Sequence, residues 1–433
     1  MVARREDAED LVAAFKEAGR QLKRAIERSK DWYWKGFCAT LDQDPWGRPY
    51  RVVRAKLMRT TLAEPLGRDR VAGILEDLFV TRQDPRPEMY QELQIPPGTA
   101  DGEADLDICE EDLKIVVGKC ERRKAVSVEG IPGGIIRIVA EQRTRRLLDV
   151  LNEINNTGRK PAVWKVARVV LIPKPARDPL ISLSYRPISI LPALNKVWVH
   201  TFKMLIERSI GRDPFHRDRY GFRRRRGTLE ALDRTVAVAE ESRRKGLVCV
   251  LVALDVKNAF NTLSWGEIRE EIRRRQLPGR LQELIWDYLA ERKIVVHCRE
   301  GVVRRNVYGG VPQGSVLEPL LWNLVYDGLL KTLDRVKDME PVAFADDLAV
   351  LLMDRGSQDI EERIRAIIGM ATRWCRDAGL HLAREKTDVI LLMRKRIPTS
   401  FTFDVGDGRE ISTSRTIKYL GVLLDNVRRY PPP

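Results

Sequence analysis

The stretch at 341–353, PVAFADDLAVLLM, sets two adjacent acids, Asp346 and Asp347, between two apolar runs. The pattern reads as a buried β-hairpin with the acids at its tip. Two ionised carboxylates about 4 Å apart repel by roughly 4 kcal/mol at an effective dielectric near 20. Something must offset that repulsion, and a divalent cation does so directly, because hard carboxylate oxygens suit Mg²⁺. For any one acid alone, a solvated turn or a helix cap is the better account of the residue.

Working outward, residues 246–254, GLVCVLVAL, form eight apolar residues after a glycine. That is too short for a membrane span and right for a central strand, and it runs straight into Asp255. A sheet that sets this strand beside the hairpin brings three acids to one edge. Carboxylates that bridge two metal ions roughly 3.5 to 4 Å apart are the apparatus of in-line phosphoryl transfer.

The rest of the chain supplies a frame for that edge. ARVVLIPKP at 167–175 reads as a buried strand closed by prolines, and 192–210 as a long helix with Pro192 in its first turn. Ser264 and Glu267 match a capping box, which starts a helix just past the central strand. Residues 293–307 read as a hairpin turning at Glu300 and Gly301. Ile360, Ile364, Ile367, Ala371 and Trp374 share one face of a helix that stops at Gly379. TDVILLM at 387–393, then FTFDV and IKYLGVLL, add strands. Leu11, Phe15, Ala18, Leu22 and Ile26 space an amphipathic helix near the start. The Pro, Gly and acid content of 96–105 reads as a linker, with a boundary near 100. The sum is an α+β layer with an antiparallel sheet backed by helices.

Composition narrows the function class. Lys and Arg total 77 against 62 Asp and Glu, a formal net charge of +15 that points to a polyanion partner, nucleic acid foremost. At 43% hydrophobic over 433 residues the chain is no disordered tail and is long enough for two or three subdomains. Six scattered cysteines without a C-x-x-C pair and four histidines exclude a zinc-ligand pattern and read as reduced thiols. No run reaches the roughly 18 apolar residues of a membrane span, and no signal-peptide core opens the chain. A soluble protein of cytoplasm or nucleus is expected.

Eight blocks around these acids resemble, in order, the reverse transcriptase domain of non-LTR, LINE-type retrotransposons, insect elements in particular. They are LIPKP (171–175), YRPISIL (185–191), YGFRRRRGTLEAL (220–232), ALDVKNAFNTLSW (253–265), GGVPQGSVLEPLLWNLVYDGLL (309–330), FADDLAVLL (344–352), GLHLAREKTDVILL (379–392) and IKYLGVLLD (417–425). The resemblance implies a right-hand polymerase fold, with a helical N-terminal extension over 1–100, fingers over 101–245, a palm over 246–425 and a short tail over 426–433, the thumb missing.

The same resemblance implies a role for each matched residue. Asp255 and Asp346 would ligate two Mg²⁺, or Mn²⁺ in its place, with the Val256 carbonyl as a further oxygen and Asp347 as the adjacent acid. Lys174 and Arg186 would hold the triphosphate of the incoming dNTP, and Phe260 would lie under its sugar. Gln313 and Gly314 would contact nucleotide and template. Lys386 would protonate the departing pyrophosphate. Tyr419, Leu420 and Gly421 match the primer grip, and Arg223, first of four arginines, would run along template phosphates. RNA template and DNA primer are the implied partners, with no membrane.

Two departures stand out. Glu318 occupies a position where the family has glycine, and KAVSVEGIPGG at 124–134 puts Glu129 where Asp is usual. The alternatives are an impaired nucleic-acid-binding relic of such an element, and a group II intron or telomerase-type reverse transcriptase.

Overall fold

The computed structural model describes residues 66–80, 106–119, 127–175, 177–211, 213–355, 360–392, 402–404 and 410–425, with isolated helical positions at 17, 21, 24 and 28. The expected helix over 11–26, the linker over 96–105, Cys38, Cys120 and the tail over 426–433 lie outside the described residues, those isolated positions aside. Two compact units divide the chain, Met1–Gly67 and Arg68–Pro433. All that follows concerns the second.

Its helices are α1 (Arg68–Leu78), α2 (Glu110–Gly118), α3 (Gly133–Gln142), α4 (Thr144–Thr157), α5 (Ala193–Ile210), α6 (Thr228–Arg244), α7 (Ala259–Thr262), α8 (Trp265–Arg274), α9 (Gly279–Leu289), α10 (Glu318–Asp334) and α11 (Ile360–Asp377). Its strands are β1 (Val166–Pro173), β2 (Tyr185–Ile190), β3 (Arg219–Tyr220), β4 (Val248–Leu254), β5 (Val256–Lys257), β6 (Lys293–Cys298), β7 (Gly301–Asn306), β8 (Met339–Phe344), β9 (Asp347–Asp354), β10 (His381–Leu382), β11 (Asp388–Leu391), β12 (Thr402–Asp404), β13 (Glu410–Ser412), β14 (Thr416–Tyr419) and β15 (Val422–Asp425).

Two sheets organise the unit. One runs β2-β1-β6-β7 and the other β11-β4-β9-β8-β3. Every pair in the second sheet is antiparallel except β3 with β8. β4 is buried at nearly every position and lies between β11 and β9, as an apolar run that must be covered on both faces requires. Sheet membership crosses residue 245 in both directions. The β6–β7 hairpin joins β1 and β2, while the short β3 closes the edge of the β4 sheet.

The main core lies between the second sheet and helices α5 and α8 to α11. Trp198, Trp322, Tyr288 and Tyr326 are among its largest fully buried side chains. Aromatics of this size each bury about 150–250 Å², which at roughly 25 cal/mol per Å² stabilises by about 4–6 kcal/mol before ordering entropy. α10 is buried almost all round, so it forms the spine against which both the sheet and α11 pack.

Several local expectations are refined. Pro192 precedes α5 as its N-cap residue. α8 begins after Ser264 as expected, yet no side-chain capping bond forms there. Burial pushes the Glu267 carboxyl above the usual carboxylate range. IKYLGVLL is not one strand but the hairpin β14–β15, because Leu420 (φ +48°) and Gly421 (φ +87°) both turn left-handed, the requirement of a tight two-residue hairpin. Cys109, Cys249, Cys298 and Cys375 are free thiols. Among the described residues no helix is long and apolar enough to cross a membrane.

Candidate active site

The acid-bearing tip forms as the alternation of its strands dictates. β8 and β9 pair in register down to Phe344 opposite Asp347, leaving Ala345 and Asp346 as a two-residue turn. Ala345 takes a left-handed φ of +54°, the geometry such turns demand at their first position. β4 pairs with β9 down to Leu254 opposite Leu348. One step further along that register, Asp255 stands level with Asp347. The sheet therefore gathers Asp255, Asp346 and Asp347 at one edge.

Three side supports hold the turn. The Trp322 indole Nε1 donates to the Ala345 carbonyl at 2.9 Å, and the Tyr326 hydroxyl, one helical turn further along α10, donates to the Asp346 carbonyl at 3.4 Å. The two rings stack with centroids 4.8 Å apart. From the other side Gly221 (φ +71°) abuts the turn so closely that a Cβ there would lie 2.5 Å from the Ala345 nitrogen. Behind them Arg219 is wholly buried, its guanidinium bonded to Asn323 Oδ1 and lying 4.8 Å from the Tyr326 ring centroid. Its Nη1 has no partner.

Electrostatics at the tip follow from three like charges in restricted solvent. Burial pushes the Asp346 carboxyl up, Asp255 adds to the push, and Arg219 and Lys386 pull it back. Burial and then Asp346 and Asp255 raise Asp347 to about 6, although its side chain keeps open access to water. The Lys386 ammonium sits on the Asp255 carboxylate in a short ion pair. Asp255 also fixes the chain locally, since its carbonyl accepts from Ala383 N at 2.7 Å. Val256 follows in β5, paired with Leu382 of β10.

Lys174 senses the charges of Arg186, Lys386 and Asp255. Lys174 ends the β1 segment, its Nζ donating to the Leu183 carbonyl at 2.7 Å. Burial first pulls the Lys174 ammonium below the usual lysine range, then the charges of Arg186, Lys386 and Arg177 do so, while Asp255 opposes them. Those couplings put Lys174, Arg186 and Lys386 in one neighbourhood with Asp255. Arg186 itself is exposed on β2, opposite Ile172.

Phe260 sits in the short α7, its ring 5.3 Å from Trp322 and 6.1 Å from Phe222, centroid to centroid. Its carbonyl accepts from Val311 N at 2.7 Å, which brings the start of the 312–315 turn alongside. In that turn the Gln313 carbonyl accepts from Ser189 N at 2.7 Å, and Gly314 takes a φ of +103°. Gly314 N donates to Glu318 Oε2 at 2.6 Å. Burial, with Asp346 adding, raises the Glu318 carboxyl to about 8.

Two expected contacts do not take the expected form. Arg223 is nearly buried, ion-paired with Asp213 and donating to the His216 and Arg219 carbonyls, so it anchors its own loop. The residues of that run that stay exposed are Arg224 and Arg225. Tyr419 is 3% exposed in a small core with Leu251, Ile390 and Ile417, Leu420 packs partly against that core, and Gly421 is the exposed residue of the hairpin turn. Gly221, Trp322, Tyr326 and Arg219 were missing from the sequence-based site. A glycine between two aromatics was the signal for the first. The others lie on buried faces, and nothing in a linear pattern says which acid they will support.

Among the described residues no three of Asp, Glu, His and Cys converge as a metal cluster. The donor set nonetheless fits a divalent cation. It offers hard carboxylate oxygens that push one another toward protonation, with an ammonium already seated on one of them.

A family model described as "Reverse transcriptase (RNA-dependent DNA polymerase)" matches residues 172–424. The chain is 26% identical over 96% of its length to the "Putative 115 kDa protein in type-1 retrotransposable element R1DM" of Drosophila melanogaster, of which it covers 40%. It is also 26% identical over 73% of its length to the "RNA-directed DNA polymerase from mobile element jockey" of the same fly, covering 35% of that protein. The chain thus spans well under half the length of these relatives. Among solved structures, apo telomerase from Candida tropicalis aligns with a TM-score of 0.45 and 13% identity over 65% of this chain and 52% of that one. On the match over 172–424, more than half of its length, the chain belongs to the reverse transcriptase (RNA-dependent DNA polymerase) family.

Proposed function

We propose that this chain catalyses RNA-directed DNA synthesis for a non-LTR retrotransposon, joining a dNTP to a DNA primer on an RNA template. The observation that carries the reading is the strand register that puts Asp255, Asp346 and Asp347 at one sheet edge, with Lys174 under the electrostatic influence of Arg186, Lys386 and Asp255. In the reaction the primer 3′-oxygen bonds to the α-phosphorus, the bond to the bridging oxygen breaks, pyrophosphate leaves and the hydroxyl proton passes to solvent. Asp255 and Asp346, with the Val256 carbonyl, would hold Mg²⁺, and Asp347 would complete the negative edge. When bound there, Mg²⁺, or Mn²⁺ in its place, supplies positive charge to the attacking and leaving oxygens.

The chain's own groups do the rest. Lys174 and Arg186 clamp the triphosphate, where cations stabilise a transferring phosphoryl group. Phe260, braced by Trp322, forms the floor under the sugar and discriminates against a 2′-hydroxyl. The Gln313–Gly314 turn seats the nucleotide and template. Leu420 and Gly421 approach the primer. Lys386 balances Asp255 in the unloaded site, and release from that carboxylate frees it to face the departing pyrophosphate.

Primer extension on an RNA template with dNTP and Mg²⁺ tests the reading. Wild-type chain should extend the primer, and Asp346→Asn should fall to the no-enzyme background. Salt-dependent RNA binding without incorporation, or equal extension by D346N, would overturn it.

A further inference from the structure

We infer that Glu318 is a positioning residue for this reaction, whose carboxylate oxygen locks the Gln313–Gly314 turn by accepting the Gly314 N–H. The inference rests on the polymerase reading of the site and adds to it a side chain where the family resemblance expects none.

The geometry is specific. Glu318 opens α10, and its Oε2 reaches back four residues to Gly314 N at 2.6 Å. The residue is 7% exposed, and among the described residues no Lys or Arg pairs with it. A buried acid without a cation, in the field of the like-charged Asp346, is costly unless its hydrogen bonds are valuable. The place at the first turn of a helix recovers part of that cost, because exposed N–H groups there favour negative charge.

The turn is already held on two other sides. Ser189 N donates to the Gln313 carbonyl at 2.7 Å, tying it to β2, and Tyr288 Oη bonds Ser315 Oγ at 2.7 Å, tying it to α9. A Cβ at Gly314 would meet the Ser189 carbonyl oxygen at 3.3 Å, so the backbone packs as closely as a glycine allows. Glu318 closes the third side by engaging the Gly314 amide from the start of α10. Three anchors leave the turn a single conformation, which is what a surface that must seat a nucleotide within a fraction of an ångström requires.

Three variants of the chain separate this from a merely structural role. Glu318→Gln keeps an acceptor at the same reach without the charge, Glu318→Ala removes it, and Glu318→Asp keeps a carboxylate one methylene too short. Two readouts apply: the split of dNTP KM from kcat in primer extension, and amide hydrogen exchange of the peptide containing Gly314. E318Q should match wild type within about twofold in both. E318A and E318D should raise KM about tenfold, the scale of one buried N–H left without its acceptor, with kcat changed less than twofold and faster exchange at the turn. Wild-type KM and exchange in E318A and E318D would overturn the inference, as would E318Q behaving like them. Should the wild-type chain extend no primer, the polymerase reading fails by itself. The exchange data still decide whether Glu318 orders the turn.

Discussion

Replacing Gly221 by alanine should disable the acid-bearing turn without touching an acid. Gly221 has φ +71°, and an added Cβ would lie 2.5 Å from Ala345 N and 3.3 Å from Ala345 Cα. An ordinary contact begins near 3.4 Å, so the backbone beside Asp346 must retreat by about 0.9 Å, the difference from 2.5 Å. A misplacement of about 1 Å at a reacting centre costs on the order of 100-fold in rate. The left-handed backbone adds a stability cost of roughly 1–2 kcal/mol. Gly130 isolates that second cost, since it has the same φ of +71° with nothing within 4 Å of its would-be Cβ. In parallel thermal melts and primer-extension assays, G130A should lose stability alone. G221A should lose at least as much stability together with about two orders of magnitude in kcat. Equal activity in the two variants would refute the claim that contact with Ala345 positions the acids.

Trp322→Phe should lower stability by about 1–3 kcal/mol in denaturant titration, because it strands the Ala345 carbonyl that Nε1 now satisfies at 2.9 Å, and kcat should fall more than KM changes. Arg223→Ala should destabilise by a similar amount and leave the salt dependence of RNA binding unchanged, since its donors are committed internally. The double variant R224A/R225A should flatten the log K against log salt slope by up to about 1.4 on single-stranded RNA, at about 0.7 per phosphate contact. The raised Glu318 carboxyl gives a pH test with a definite sign. Between its ordinary value of 4.5 and about 8 the folded chain holds a proton that the unfolded chain has released. Stability should therefore fall as pH rises through that window and level off above 8, by a few kcal/mol at most. Melts of Glu318→Gln across pH 5 to 9 should lack this component.

The elements were legible where the pattern was strong and local. The 341–353 hairpin, the strand entering Asp255, the helix ending at Gly379 and the α+β layering all follow from periodicity and turn chemistry, and the structure contains each of them. The split of IKYLGVLL into two strands was harder to see, because Leu420 adopts a left-handed φ that few would assign to leucine. The capping bond at Ser264 failed although its residues were right, since a spacing guarantees neither rotamer nor orientation.

By itself the sequence determined the candidate residues for the chemistry and their order along the chain. Carboxylates, lysines and glycines appear in fixed words, and word order survives without a fold. What only the tertiary structure decided is which of those residues are free to act. Arg223 looked like a template contact and is an internal anchor, Tyr419 looked like a primer contact and is core, and Glu318 looked like an intrusion and accepts from the Gly314 amide. The physical reason is that neither burial nor hydrogen-bond commitment is written in a short word of sequence. Ser189 and Ala345 become neighbours of Gln313 and Gly221 only when the sheets close, while Arg223 and Glu318 commit to Asp213 and Gly314, whose nearness in the chain does not by itself dictate a bond.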